Sequence, residues 1–463
     1  METTRQFIPT PVFRKLRVFA VDPGMTAEFE MAVLNEMTLS IPWEDLEPGP
    51  AGEYIAVIDE DESGKPLHEA VDLDRADIVG QDGLAPSDGN LQFHQQMVYA
   101  VAMRTIRNFE RALGRVVHWP PRRLVAKNNR RPARTQERYE KQLKIYPHFM
   151  VEANAHYDQE RGFCFGYFAS QDDSPFPGTC IFTCLSQDVI AHELTHALLM
   201  GMNIEFHGPN PDVMAFHEAF ADLIPLFQHF WKSDILRTQI AAVRGNLDER
   251  NPLGAVAPQF GQAIGRPDGI RNALGRTGKD GKWQPRRPDP KLYKTEQEPH
   301  DRGDILAAAV FQAFRKIYES RVADLRRIAT KGTGVLAPGT LHPDLVNRFT
   351  DEAALLARHV LDMCIRALDY IPPVDITFGD FLRAIITADY DLDPRDERRY
   401  RVAFLEAFRS HGIFPAEVGT LSVETLLWPR PATTDDASVL VDFVRQLSTK
   451  HNHWNLPRDR ELL

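Results

Sequence analysis

The chain has 463 residues, 43% hydrophobic and 26% charged, which is enough apolar material for a substantial core and a length that suggests about three domains. A net charge of −11 argues against a general nucleic-acid or anionic-membrane partner. No window approaches the roughly 18 apolar residues of a membrane span. The opening "METTRQFIPTPVFRKLRVFAVDPG" also lacks an export-type apolar core, so a cytoplasmic location is expected.

Residues 1–90 alternate short apolar runs ("LRVFAV", "EYIAVID") with Pro, Gly and Asp clusters and read as strands and loops. They are either part of a β-rich lobe or a regulatory segment. From Phe93 the pattern changes: Phe93, Met97, Val101, Ile106, Phe109 and Leu113 recur near helical period, and Gly114 offers a stop. The basic run Arg122 to Lys144 has little aromatic interleaving and reads as a solvated connector. "FMVEANAHYDQERGFCFGYFAS" and "GTCIFTCLS" read as strands. On one strand Cys180 and Cys184 would stand about 13 Å apart, too far for a bridge. All four cysteines (Cys164, Cys180, Cys184, Cys364) are therefore expected as buried reduced thiols.

The helix in "SQDVIAHELTHALLMGM" closes a segment spanning 91–200. A mostly helical region, 201–417, follows, and 418–463 forms a tail. Pro225 should kink its helix or remove one backbone bond. The Gly-, Pro- and Arg-rich stretch from Asp248 to Gly303 is long enough to be functional or disordered. The switch from alternating to helical periodicity across His192 predicts an α+β chain.

His192 and His196 are four apart, so on a helix they share a face and can clasp one ion. Glu193 would lean over its open side as a general base. The bland alternative is two solvated histidines. Leu199 and Met202 occupy the positions where a metzincin would carry Gly and His, which excludes that class. A carboxylate on a following helix is the other common third ligand, and Glu218 lies 22 positions after His196. Asp222, one turn on, would accept the outward N–H of a ligating histidine. His217 is either a further donor to such an imidazole or a partly buried helix histidine.

These segments resemble the thermolysin family of zinc peptidases, the gluzincins. "DVIAHELTHAL" is similar to the family's active-site helix and "HEAFADL" to its Glu-x-x-x-Asp helix. "EANAHYD" resembles the edge strand that pairs with substrate, which implies substrate-binding roles for Asn154 and Ala155. "GIRNAL" resembles the substrate-arginine segment, implying Arg271, and "EPHDRGDILAAAVFQAF" the catalytic-histidine segment, implying His300. Matches run in order from about residue 90 to 415. They imply a two-lobed zincin fold, strand-rich then helical, and one Zn2+ per chain held by His192, His196 and Glu218, with Glu193 and His300 catalytic.

Departures from the family pattern carry information too. His229 stands where an acid should partner Asp188, which argues against the family's calcium site. Thr295 replaces the acid expected before His300, leaving Glu296 or Glu298 to orient it. The family's oxyanion tyrosine has no match, and His207 is the nearest candidate. Asp389 to Asp393 mimics a calcium loop, but Pro394 and Tyr400 break the pattern, so a solvated helix-capping loop is expected. The expected function is zinc-dependent peptidase activity on a peptide or protein substrate, with an activating partner if the enzyme is latent. The alternative is a catalytically silent zincin-fold binding or regulatory module; an intact Glu193 argues against it.

Overall fold

The computed structural model describes residues 11–24, 35–125, 135–138, 140–172, 174–175, 177–204, 206–231, 233–278, 282–372, 374–429 and 442. It is an α+β protein whose residues fall into two compact units, 1–107 with 122–190, and 108–121 with 191–463.

In the first unit β1 (Phe13–Phe19) pairs antiparallel with β2 (Glu36–Pro42), Phe13 opposite Pro42 and Phe19 opposite Glu36. β3 (Ile55–Val57) joins the principal sheet, so the first 90 residues contribute directly to it. α1 (Leu91–Leu113) buries Phe93, Met97, Val101, Ile106 and Phe109 along one stripe, as the period requires, and Gly114 follows at φ +71°. β4 (Arg122–Val125) and β5 (Thr135–Arg138) form an antiparallel pair, so the basic run is not a simple connector at its start; residues 126–134 lie outside the described residues.

The principal sheet has the order β3, β6 (Leu143–Met150), β8 (Gly162–Ala169), β7 (Ala155–Asp158). β3–β6 and β6–β8 are parallel, and β7–β8 antiparallel. β9 (Cys180–Phe182) also pairs antiparallel with β8. It ends early: Cys184 lies in the following 3-10 turn and is buried, whereas Cys180 is exposed, which corrects the expectation of four buried thiols.

α2 (Gln187–Gly201) begins in the first unit and carries the HELTH residues into the second. There α3 (Pro211–Gln228) is buried on nearly every side. Asn210 caps it by accepting from the Asp212 N–H, and Pro211 occupies the first turn, where no N–H is missed. Pro225 is accommodated within this helix, which continues to Gln228. α4 (Ser233–Ala242) follows. The stretch from Asp248 to Gly303 is structured by short antiparallel pairs, Ala255–Val256 with Arg271–Asn272 and Gly275–Thr277 with Trp283–Pro285.

α5 (Pro299–Ala329) packs along α3, and the aromatic pairs Phe227–Phe314 and Phe230–Phe314 interlock at 5.5 and 4.8 Å. α6 (Pro343–Ala367), α7 (Phe378–Leu392) and α8 (Tyr400–Ser410) complete the unit. Asp389 lies inside α7 and pairs with buried Arg401, which also donates to the carbonyls of Asp393 and Pro394. Asp396 accepts the first N–H groups of α8, so this acidic stretch links two helices. Among the described residues no helix is long and apolar enough to cross a membrane. Residues 430–441 and 443–463 of the tail lie outside the described residues.

Candidate metal centre

Helical spacing does what the sequence requires of α2. His192 and His196 share a face, with ring centroids 4.9 Å apart and their Nε2 atoms 3.2 Å apart. α3 brings Glu218 against both: Oε2 is 3.5 Å from His192 Nε2 and Oε1 is 3.8 Å from His196 Nε2. Donors bound to one tetrahedral zinc at ~2.0–2.2 Å stand about 3.3–3.5 Å from each other. The three separations bracket that edge. The donor set of two imidazoles and a carboxylate is a catalytic-zinc set, and buried Glu218 Oε2 has no hydrogen-bond partner of its own. These residues fit the implied ion.

The surroundings orient the ligands. Asp222 Oδ1 takes the Nδ1 hydrogen of His192 at 2.9 Å, which leaves Nε2 as the donor atom. The other Asp222 oxygen accepts from Arg271 Nε, and Arg271 Nη2 lies 3.8 Å from Glu218 Oε2. The arginine implied as a substrate contact is thus mostly buried and braces Asp222; the strand pairing of Val256 with Arg271 delivers it there. Of the two readings left open for His217, its burial on α3 matches the buried helix histidine. Its Nε2 turns to the Ile204 carbonyl at 3.3 Å and its ring stacks on His196 at 5.9 Å, while His196 Nδ1 has no hydrogen-bond partner. Phe206 meets the His196 ring edge-on at 5.7 Å.

Electrostatics separates the two histidines. Burial opposes protonation of His192, but the Asp222 and Glu218 carboxylates, with Glu193 adding its charge, raise it to about 10. Burial and the neighbouring His192 lower His196 to about 3. Burial works against the ionised forms of Glu218 and Asp222, yet His192 acting on Glu218, and Arg271 on Asp222, hold both carboxyls below the usual range. A proton on His192 thus occupies the place a cation would take. Glu193 is half-buried beside it.

His300 lies in the first turn of α5, half-exposed, with Nε2 3.3 Å from Glu218 Oε2 and Nδ1 2.7 Å from Glu298 Oε1. Of the two acids left to orient it, Glu298 does so, and it also caps α5 through the Asp301 N–H at 2.7 Å. Glu296 instead accepts backbone N–H groups of Gln297 and Glu298. Two residues on, Arg302 donates to Asp212 at 2.6 Å and to the Tyr293 and Glu296 carbonyls, which locks this turn to the start of α3. Sequence reasoning missed Arg302 because its partner is 90 residues away. The Glu-Pro pair before His300 was the available signal for Glu298, since proline favours a helix's first position. His207 is exposed and packs on Phe206 at 4.7 Å.

In the first unit, Ala155 opens β7, which pairs with β8 at the end of the sheet order. The side chain of Asn154 accepts from the Ala155 N–H at 2.9 Å, and its carbonyl accepts from the Gly166 N–H. No protein-family model matches the chain, and no curated protein matches it in sequence.

Proposed function

We propose that the chain is a zinc-dependent peptidase of the thermolysin-like kind, built on a two-lobed zincin fold and cleaving internal peptide bonds of a protein substrate in the cytoplasm. The observation that carries this reading is the convergence of His192 Nε2, His196 Nε2 and a Glu218 oxygen within 4.8 Å, with Glu193 next to the first of them. The four free cysteines agree with a reducing compartment.

A zinc ion held by His192, His196 and Glu218 would supply Lewis acidity and an acidified water. Glu193 takes the proton of the attacking water and passes it to the leaving amine. His300 donates from Nε2 to the oxyanion of the tetrahedral intermediate. With Nδ1 turned to Glu298, Nε2 is the ring atom that faces the centre. An extended peptide adds to β7 at Asn154 and Ala155 by backbone hydrogen bonding. Arg271 contributes by holding Asp222, and through it the donor tautomer of His192.

The test uses neighbouring residues with different jobs. Glu193→Gln should keep as much zinc as the native chain while cleavage of a mixed peptide pool falls to background. His192→Ala and His196→Ala should each lose one zinc. If native and Glu193→Gln proteins cleave equally, the assignment is wrong; if neither cleaves while both hold zinc, a binding module is the better reading.

A further inference from the structure

A second group of metal-binding side chains lies in the first unit, made by residues with no spacing signature. Its hydrogen-bond directions can be worked out one after another. The side-chain oxygen of Gln95 accepts the Val71 N–H at 2.8 Å, so its amide nitrogen is the group turned to Asp59 Oδ2 at 3.0 Å and to the Glu69 carbonyl at 3.1 Å. Asp59 is thereby an acceptor, and it receives His148 Nδ1 at 2.9 Å and His68 Nδ1 at 3.0 Å. His148 therefore carries its hydrogen on Nδ1. His94 Nε2 faces the backbone carbonyl of Asp88 at 3.0 Å; a carbonyl only accepts, so His94 carries its hydrogen on Nε2.

The consequence is that His94 Nδ1 presents a lone pair towards His148 Nε2, 2.8 Å away. Cys184 Sγ faces the same point, 3.8 Å from His94 Nδ1, and the three atoms lie within 4.8 Å of one another. His94 and Cys184 are 0% exposed and His148 2%, so bulk solvent does not reach them. Phe182 walls the point off, its ring 4.7 Å from His94 and 5.7 Å from His148.

We propose that His94 Nδ1, His148 Nε2 and the Cys184 thiolate bind a zinc-class transition-metal ion, with Asp59 and the Asp88 carbonyl holding the two imidazoles in their donor tautomers. Each ligating histidine has its other nitrogen on a carboxylate or carbonyl, the arrangement that orients metal ligands. With zinc bonds of about 2.3 Å to sulfur and 2.0–2.1 Å to nitrogen, tetrahedral ligand separations are about 3.5 Å for S–N and 3.3 Å for N–N. The S–N distance is close to that, and the rings need part by only about half an ångström. Charge agrees as well: a divalent ion balances the thiolate and the Asp59 carboxylate. On binding, the S–H bond breaks, its proton leaves to solvent, and the sulfur lone pair forms the metal bond. The alternative use of this cluster, an ion between Asp59, His68 and His148, is disfavoured because N–H donors already occupy that carboxylate. The ion would clasp α1, β6 and the turn after β9, and it is a site separate in residues from His192, His196 and Glu218.

Cobalt is the probe, because only a site containing Cys184 gives a sulfur-to-cobalt charge-transfer absorption. The full native chain, stripped and reloaded with Co2+, should show that near-ultraviolet band, and so should the His192→Ala/His196→Ala double variant, which lacks the other site. Cys184→Ser, close in size, should lose the band and lower bound zinc from two ions per chain to one, with circular dichroism checking the fold. Native cobalt protein without the band, or a folded Cys184→Ser that keeps both zinc ions, would overturn the proposal. A folded double variant that binds as much zinc as the native chain would count against the peptidase centre and leave this site standing.

Discussion

Replacing Asp222 by asparagine isolates the orienting carboxylate from the ligands themselves. Asp222 serves two donors with two oxygens, His192 Nδ1 at 2.9 Å and Arg271 Nε. Asparagine has one oxygen for both. If that oxygen goes to Arg271, the amide N–H groups face His192 Nδ1, which must then accept, and the ring's hydrogen moves to Nε2, the atom needed for the metal. If it goes to His192, Arg271 loses a buried ionic partner and keeps only Glu218 at 3.8 Å. Loss of such orienting partners costs about 10–100-fold in metal affinity, or about 1.4–2.7 kcal/mol. Removing one member of a buried ion pair costs about 3–5 kcal/mol of stability, with the remaining Glu218 contact favouring the lower end. Zinc affinity would be measured by competition with a chromophoric chelator, after circular dichroism shows the variant folded. A folded variant whose affinity stays within about threefold of native would refute the tautomer argument.

The other predictions address charge and chemistry. In metal-free protein, His192 is raised to about 10, so its contribution to stability is fully present below its ordinary value near 6.5 and lost as pH rises through 10. His196, lowered to about 3, contributes above 6.5 and loses that contribution as pH falls toward 3. Melting temperatures of the metal-free chain should therefore peak near pH 6.5 as far as this pair decides, and zinc should flatten the alkaline side; an unchanged alkaline decline with zinc bound would contradict the site. His300→Phe should lower kcat and kcat/KM together by about 10²–10³-fold while zinc is retained, and a fully active variant would move the role, first to His207. Calcium should be dispensable if the resemblance to the thermolysin-like peptidases holds, since His229 stands where those proteins carry a calcium-binding acid; a drop of several degrees on adding a calcium-selective chelator would show otherwise.

Periodic features were readable from residue order because helices repeat. The apolar stripe of α1, the His192/His196 face and the Glu218/Asp222 face each follow from one chain segment, and each lies where its spacing places it. Features assembled from distant segments were not readable. Arg271 meets Asp222 across 49 residues, Arg302 meets Asp212 across 90, and Asp59, His94, His148 and Cys184 are gathered from strand, helix and turn without any spacing to mark them. Cys180 and Cys184 were placed on one strand because an alternating pattern does not show where pairing stops; β9 ends at Phe182. His217 was left open for a related reason: its position on α3 was clear, but the direction of its ring depends on the Ile204 carbonyl.

Gly303 sits one residue after Arg302, where α5 crosses α3. A β-carbon there would stand 2.7 Å from the Ala215 carbonyl oxygen, 3.0 Å from the Ala219 nitrogen and 3.2 Å from Glu218 Cβ. The separation between Glu218 and the turn bearing His300 is therefore set by main chain touching main chain. For protein engineering, this divides the centre into a part that can be varied and a part that cannot. A library that varies side chains around the ligands would leave this helix spacing unaltered, whereas Gly303→Ala, the addition of one methyl group outside the ligand set, would wedge the two helices apart and detune the whole centre.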